Sequence, residues 1–341
     1  MRPKKALQTL LIGCLILLTQ PNLCEARVSG VCSNCHTMHN SQQGSAVDSD
    51  GPHLSLLNTS CLGCHSSSTS DTIDGSGTPI VYNSGSGGPT KPLAGGNFYY
   101  VTTAGGGDRM GHNVLGTEDA TLHKIPPGAV NNDPLPGIMS CAGTTGCHGD
   151  KTIAGSGETP DGSDTLAISG AHHSTGSIDG STIGKSYRFL DGITGTEDDK
   201  WEQNPSSTVH NIYKGAARTD DDTATAGTIS SLCAYCHTYF HNGNEEGTSP
   251  VDGTIWGTPW VRHPTDFDMS TALNNPAINY PSTYNTEVPI AYDGTKEIIM
   301  CLSCHRAHGS PNESILRWDY RAWPGDTSGT NGCGVCHTDK D

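Results

Sequence analysis

The chain has 341 residues with 35 acidic and 19 basic side chains, a formal net charge of -16. That sign argues against nucleic acid as a partner and favours positively charged minerals, metal cations or basic redox proteins. With 33% hydrophobic and 6% aromatic residues and 43 glycines, the chain resembles a disordered one more than an ordinary globule, so something besides side chains must supply apolar surface.

Residues 1–26 read as an export signal. Arg2, Lys4 and Lys5 form a positive start, Ala6 to Leu18 are mostly apolar, and Cys24-Glu25-Ala26 offers a cleavage site that leaves Arg27 as the new N-terminus. Cys24 as a lipid attachment point is the competing reading, but Pro21-Asn22-Leu23 lacks the small residues such a site wants. Nothing later approaches the roughly 20 apolar residues of a spanning helix. The expected product is residues 27–341 as one domain, exported and not membrane-spanning.

Five copies of C-x-x-C-H follow: Cys32-Cys35-His36, Cys61-Cys64-His65, Cys233-Cys236-His237, Cys301-Cys304-His305 and Cys333-Cys336-His337. This is the attachment signature of c-type haem. Two thiols one helical turn apart can both add to the vinyl groups of one porphyrin, and the histidine that follows lies under the iron. A sixth, stretched copy, Cys141 to Cys147-His148, has five intervening residues where two are usual, and its glycines let the excess loop out. In chain order these are sites one to six, and they predict six covalently attached haems. A five-haem protein with Cys141 and Cys147 paired or singly attached is the alternative.

Of 14 cysteines, Cys14 and Cys24 lie in the signal and the other 12 belong to the six sites. None is left for disulfides, zinc or a nucleophile, and haem coupling to such thiols belongs to an oxidising compartment outside the cytoplasm. Between the sites run Gly-, Ser-, Thr-, Asp- and Pro-rich loops: Asp71 to Gly88, Gly155 to Asp164 and Asn242 to Gly253. The Asp220-Asp221-Asp222 run reads as a solvated loop. The expected fold is a multihaem cytochrome c, mostly irregular coil with short helices around the attachment motifs and a core of stacked haems. No periodic run promises a conventional sheet or bundle.

Sixteen histidines less six proximal ligands, His36, His65, His148, His237, His305 and His337, leave ten for the far side of the irons. Two histidines on every iron leave no position for substrate, which implies electron transfer and no catalysis. His39, His241 and His308 follow a proximal histidine by three or four residues. They leave the same helical face, so each can serve a neighbouring haem but not easily its own, a surface histidine being the alternative. His112 and His263 stand in compact loops, and His172, His173 and His210 are further candidates. His53 and His123 remain as spares, and the surplus makes ligation by Met38 or Met110 unnecessary.

The stretches Gly30-Val31 into Cys32-Ser33-Asn34-Cys35-His36-Thr37-Met38-His39-Asn40, Ser60-Cys61-Leu62-Gly63-Cys64-His65 and Gly111-His112-Asn113 carry a likeness. So do Cys233-Ala234-Tyr235-Cys236-His237-Thr238 with His241-Asn242, Arg262-His263-Pro264, and Cys301-Leu302-Ser303-Cys304-His305-Arg306-Ala307-His308. Together they resemble the outer-surface, filament-forming hexahaem c-type cytochromes of metal-reducing bacteria. The middle, from about Cys141 to Tyr213, does not obviously match. The resemblance implies two histidines on all six irons, haems stacked alternately parallel and T-shaped, and His39 completing the iron held by Cys301, Cys304 and His305 of a neighbouring molecule. A donor near one end and an acceptor near the other propagates into a linear homopolymer unless it closes into a ring. Other redox cytochromes and extracellular electron acceptors are the implied partners, at the cell surface or outside it, otherwise in the periplasm. A monomeric shuttle is the second reading. A reductase is the third, and it wants an iron with an open face.

Overall fold

The computed structural model describes residues 31–49, 51–53, 56–69, 72–85, 87–102, 104–114, 116–117, 125–129, 132–153, 167–168, 190, 192–198, 200–218, 224–240, 263, 265–272, 280–322 and 332–337. The export signal, His123, His172, His173, His241 and the Asp220–Asp222 run lie outside these.

Most of the described chain is coil, and its short helices gather on the attachment motifs: α1 (Cys61–His65), α2 (Ile229–Ala234), α4 (Cys301–Cys304) and α5 (Gly332–Cys336), with α3 (Met269–Ala272) apart from them. Site one forms a 3-10 turn over Cys32–Asn34. Helices this short are marginal alone, and two of them carry a side-chain cap on the first turn. Ser60 accepts from the Gly63 amide, and Thr228 from that of Ser231. Among the described residues no helix is long and apolar enough to cross a membrane.

The strands are the departure from expectation. β1 (Ser41–Gln42) and β2 (Ser45–Ala46) form an exposed hairpin, and β3 (Ser66–Ser67) runs parallel to β4 (Tyr82–Asn83). β5 (Gly195–Thr196), β6 (Ile212–Lys214), β7 (Ala291–Asp293) and β8 (Lys296–Ile298) make a four-stranded mixed sheet in that order. Its parallel pairing of Tyr213 with Ala291 joins distant parts of the chain. Strands of two or three residues are too short for alternation to appear in sequence, and only pairing defines them.

Side chains also build more core than composition suggests. Ile193, Tyr213, Ile229, Ala291, Ile298 and Met300 form one buried cluster, which packs on Cys233. Met269, Tyr280, Val288, Ile290, Ile299 and Trp318 form a second, against Cys304, Cys333 and Cys336. Phe98, Val101 and Val114 form a third, against Cys141. Each small core therefore sits beneath thiols of an attachment site, and a porphyrin fixed there extends an apolar surface that already exists.

Candidate haem-attachment sites

The attachment turns share one closure. The proximal histidine's amide donates to the first cysteine's carbonyl at His36–Cys32 (2.8 Å), His237–Cys233 (3.0 Å), His305–Cys301 (3.0 Å) and His337–Cys333 (2.9 Å). At site two, α1 spans the whole motif. The stretched site closes the same way, with His148 N–H to Cys141 O at 2.9 Å and Cys147 N–H to the same oxygen at 3.1 Å. Its excess residues fold out on themselves. Gly146 donates to the Gly143 carbonyl (3.0 Å), Gly143 takes a φ of +78°, and Lys151 Nζ holds the Gly146 carbonyl at 2.9 Å. Five residues are thus accommodated without losing the cysteine-to-histidine turn.

Backbone carbonyls fix the tautomers of five imidazoles. Nδ1–H donates from His65 to Pro79 (2.8 Å), from His237 to Pro127 (2.7 Å), from His305 to Ser314 (2.8 Å), from His210 to Asn211 (2.7 Å) and from His112 to Ala307. A ring held that way keeps the Nε2 lone pair for a metal. Burial lowers the pKa of His65, His112 and His305 and takes His308 down to about 3, so these rings are neutral donors. His53 differs: its Nε2 lies 2.9 Å from an Asp48 carboxylate oxygen.

Three pairs of rings approach each other at an angle, with 47° between the planes of His112 and His237, 43° between His148 and His308 and 77° between His263 and His337, each joining a C-x-x-C-H or stretched-site histidine to one elsewhere in the chain. The centroids of His112 and His237 are 6.1 Å apart, those of His148 and His308 6.2 Å, and those of His263 and His337 6.1 Å. Two imidazoles on opposite sides of one metal have centres on the order of 6 Å apart, from metal–nitrogen bonds of about 2 Å and about 1 Å more to each ring centre. His210 instead stacks on Tyr284 at 3.5 Å. His39 is exposed, with a φ of +64°.

Neighbouring thiols link the sites in chain order. Burial raises the Cys64 pKa, helped by nearby Cys35, and raises that of Cys236, helped by Cys147. Cys233 is raised first by its hydrogen bond with Cys301. Cys304 is pushed up to about 12 by burial, then by Cys333 and Cys336. Between sites two and three, His65 and His148 both add to the lowering of His308.

The donor set fits haem c: paired thiols on a turn, neutral imidazoles with Nε2 available, and apolar floors beneath. Buried Arg317 adds a further sign, because its Nε donates to Leu302 O at 2.7 Å while Nη2 has no partner among the described residues. A carboxylate-bearing cofactor would satisfy it. Neither Arg317 nor the carbonyls that seat the rings carry a sequence signal, since any residue has a carbonyl.

A family model described as a doubled CXXCH motif matches residues 295–341, the span of sites five and six. The chain is 26% identical to the C-type cytochrome OmcS of Geobacter sulfurreducens, over 89% of this chain and 82% of that protein. The chain is similar to that cytochrome over most of its length. The resemblance drawn from its motifs is borne out by that comparison. Among solved structures, an Outer Membrane Cytochrome S filament from Geobacter sulfurreducens aligns at 21% identity and a TM-score of 0.46, covering 87% of this chain and 85% of that one. The OmcS nanowires from the same organism, determined by cryo-EM, align at 19% and 0.45 with the same coverage.

Proposed function

We propose that this protein is an exported hexahaem cytochrome that conducts electrons through bis-histidine haems as the subunit of an extracellular filament. The 1–26 segment directs export, and 27–341 is the cytochrome. The observation that carries the bis-histidine reading is the set of three imidazole pairs with centres 6.1, 6.2 and 6.1 Å apart, a spacing at which both rings of a pair would hold one iron between them. In this reading His308 completes the iron of site three, His112 that of site four and His263 that of site six. His39 of one molecule completes site five of the next, and sites one and two draw on His172, His173, His210 and His241. Iron with two strong protein ligands has no place for substrate, so it exchanges electrons without bond chemistry.

When bound, each haem supplies an iron that cycles between ferric and ferrous. The protein's part is to hold buried His65, His112, His305 and His308 neutral, fix the orientation of the rings and keep successive sites close. Intact mass together with electron paramagnetic resonance of the purified protein tests this reading. Six haems on the chain with low-spin iron throughout is the expected result; a five-haem mass, or one intrinsically high-spin iron, contradicts it.

A further inference from the structure

We propose that Gly96, Gly111 and Gly309 form a backbone junction that aims two distal histidines, His112 and His308, at two different irons; this positioning role rests on the bis-histidine reading above. Three segments meet there, 95–97, 110–112 and 305–310. Gly309 bridges to Gly96 in parallel and to Gly111 in antiparallel fashion. The His308 amide donates to Gly95 O at 2.6 Å, Asn97 N–H to Gly309 O at 3.0 Å and Ser310 N–H to Met110 O at 2.9 Å. Arg306 ties the same segment to the Leu93 and Ala94 carbonyls at 3.1 and 3.3 Å.

Only glycine permits this approach. A Cβ on Gly111 would fall on the His308 carbonyl oxygen, and one on Gly96 on the Gly309 carbonyl oxygen. On Gly309 it would lie 2.7 Å from Asn97 O and 2.9 Å from Met110 O. The carbonyl oxygens are backbone atoms, which cannot swing aside as a side-chain end can, and at Gly111 the Cγ2 of buried Val101 stands in the way as well.

The glycines adjoin the rings they aim. Gly111 precedes His112 and Gly309 follows His308. His112 donates Nδ1–H to Ala307 O, so its orientation depends on the segment that carries His308. His305, at the start of that segment, is the proximal histidine of site five. One short stretch of chain thus serves three sites. A methyl at 111 must displace it by about 1 Å to restore ordinary contact. That is a large fraction of a metal–nitrogen bond of about 2 Å.

The test compares native protein with Gly111→Ala, Gly309→Ala, His308→Ala and, as a control in open space, Gly75→Ala. Mass spectrometry counts attached haems, and electron paramagnetic resonance with an imidazole titration counts irons that have lost a ligand. All variants are expected to keep the native haem mass, since attachment needs only the motifs. Gly111→Ala converts two irons to high spin, recovered by added imidazole. Gly309→Ala converts the same two, His308→Ala converts one, and Gly75→Ala none. The Gly111→Ala/His308→Ala double variant stays at two. Native spin states in both Gly111→Ala and Gly309→Ala overturn the junction, as does conversion of every iron in both, which would mean general unfolding. High-spin iron at sites three and four of the native protein overturns the bis-histidine reading itself, and the proposal with it.

Discussion

Site one and site five carry the same motif on different foundations. The Cys32–Asn34 turn buries none of its residues, and around it Val31, Met38 and Leu56 are 69%, 74% and 51% exposed. Site five stands on Ile290 and Ile298, both fully buried, and its α4 helix sits between the sheet and α5 through two apolar clusters. One site is an exposed arm with apolar side chains facing outward, and the other carries its own floor. An arm of that kind suits docking against another molecule, whereas the floored site suits receiving a ligand.

The largest contrast is expected from removing the haem at each end. Cys301→Ser with Cys304→Ser should lose one haem and the cooperative unfolding of the region that packs on site five, seen by thermal melting and limited proteolysis. Cys32→Ser with Cys35→Ser should lose one haem and leave the melt unchanged. Equal damage from both would erase the distinction between arm and core.

Next comes core truncation. Ile298→Ala should cost about 2–5 kcal/mol in denaturant unfolding, against about 0.5 kcal/mol or less for exposed Leu56→Ala. Equal losses would mean that the small apolar clusters carry no stability of their own.

Acid should act through the buried rings. Burial lowers His65, His112 and His305, and holds His308 at about 3. Free imidazole in the unfolded chain titrates at about 6.5. Between these values the unfolded chain binds protons that the folded one does not, so stability falls as pH drops from about 6.5 towards His308's folded value of about 3. Denaturation midpoints measured from about pH 7 down to about pH 4 should fall steadily; a flat profile would contradict the burial. The smallest effect is expected at Glu313, which pairs with Arg321 at 2.9 Å and Arg109 at 3.4 Å on the surface. Glu313→Gln should move stability by about 0.5 kcal/mol or less, and a larger loss would show that these exposed ion pairs brace site five.

The attachment turns were legible because covalent chemistry fixes their spacing, and the pattern C-x-x-C-H states it directly. The approach of His112 and His263 to His237 and His337 was only half legible. His112 and His263 stood out as candidates, but their partners depend on contacts such as His112 to Ala307, 195 residues apart, which no local pattern records. The sheet was illegible for the same reason, since Tyr213 and Ala291 find each other only in the fold. Gly111 lay within a recognised stretch, yet its role needs the Gly309 backbone beside it. At the stretched site the His148-to-Cys141 closure was not legible in sequence, because it depends on how the residues between the two cysteines fold out.

Whether His39 joins one molecule to the next is decided by negative-stain electron microscopy of haem-loaded native protein beside His39→Ala. Filaments are expected from the native protein, and isolated particles with an unchanged haem mass from the variant. Single-molecule particles from both, or filaments from both, would contradict that link.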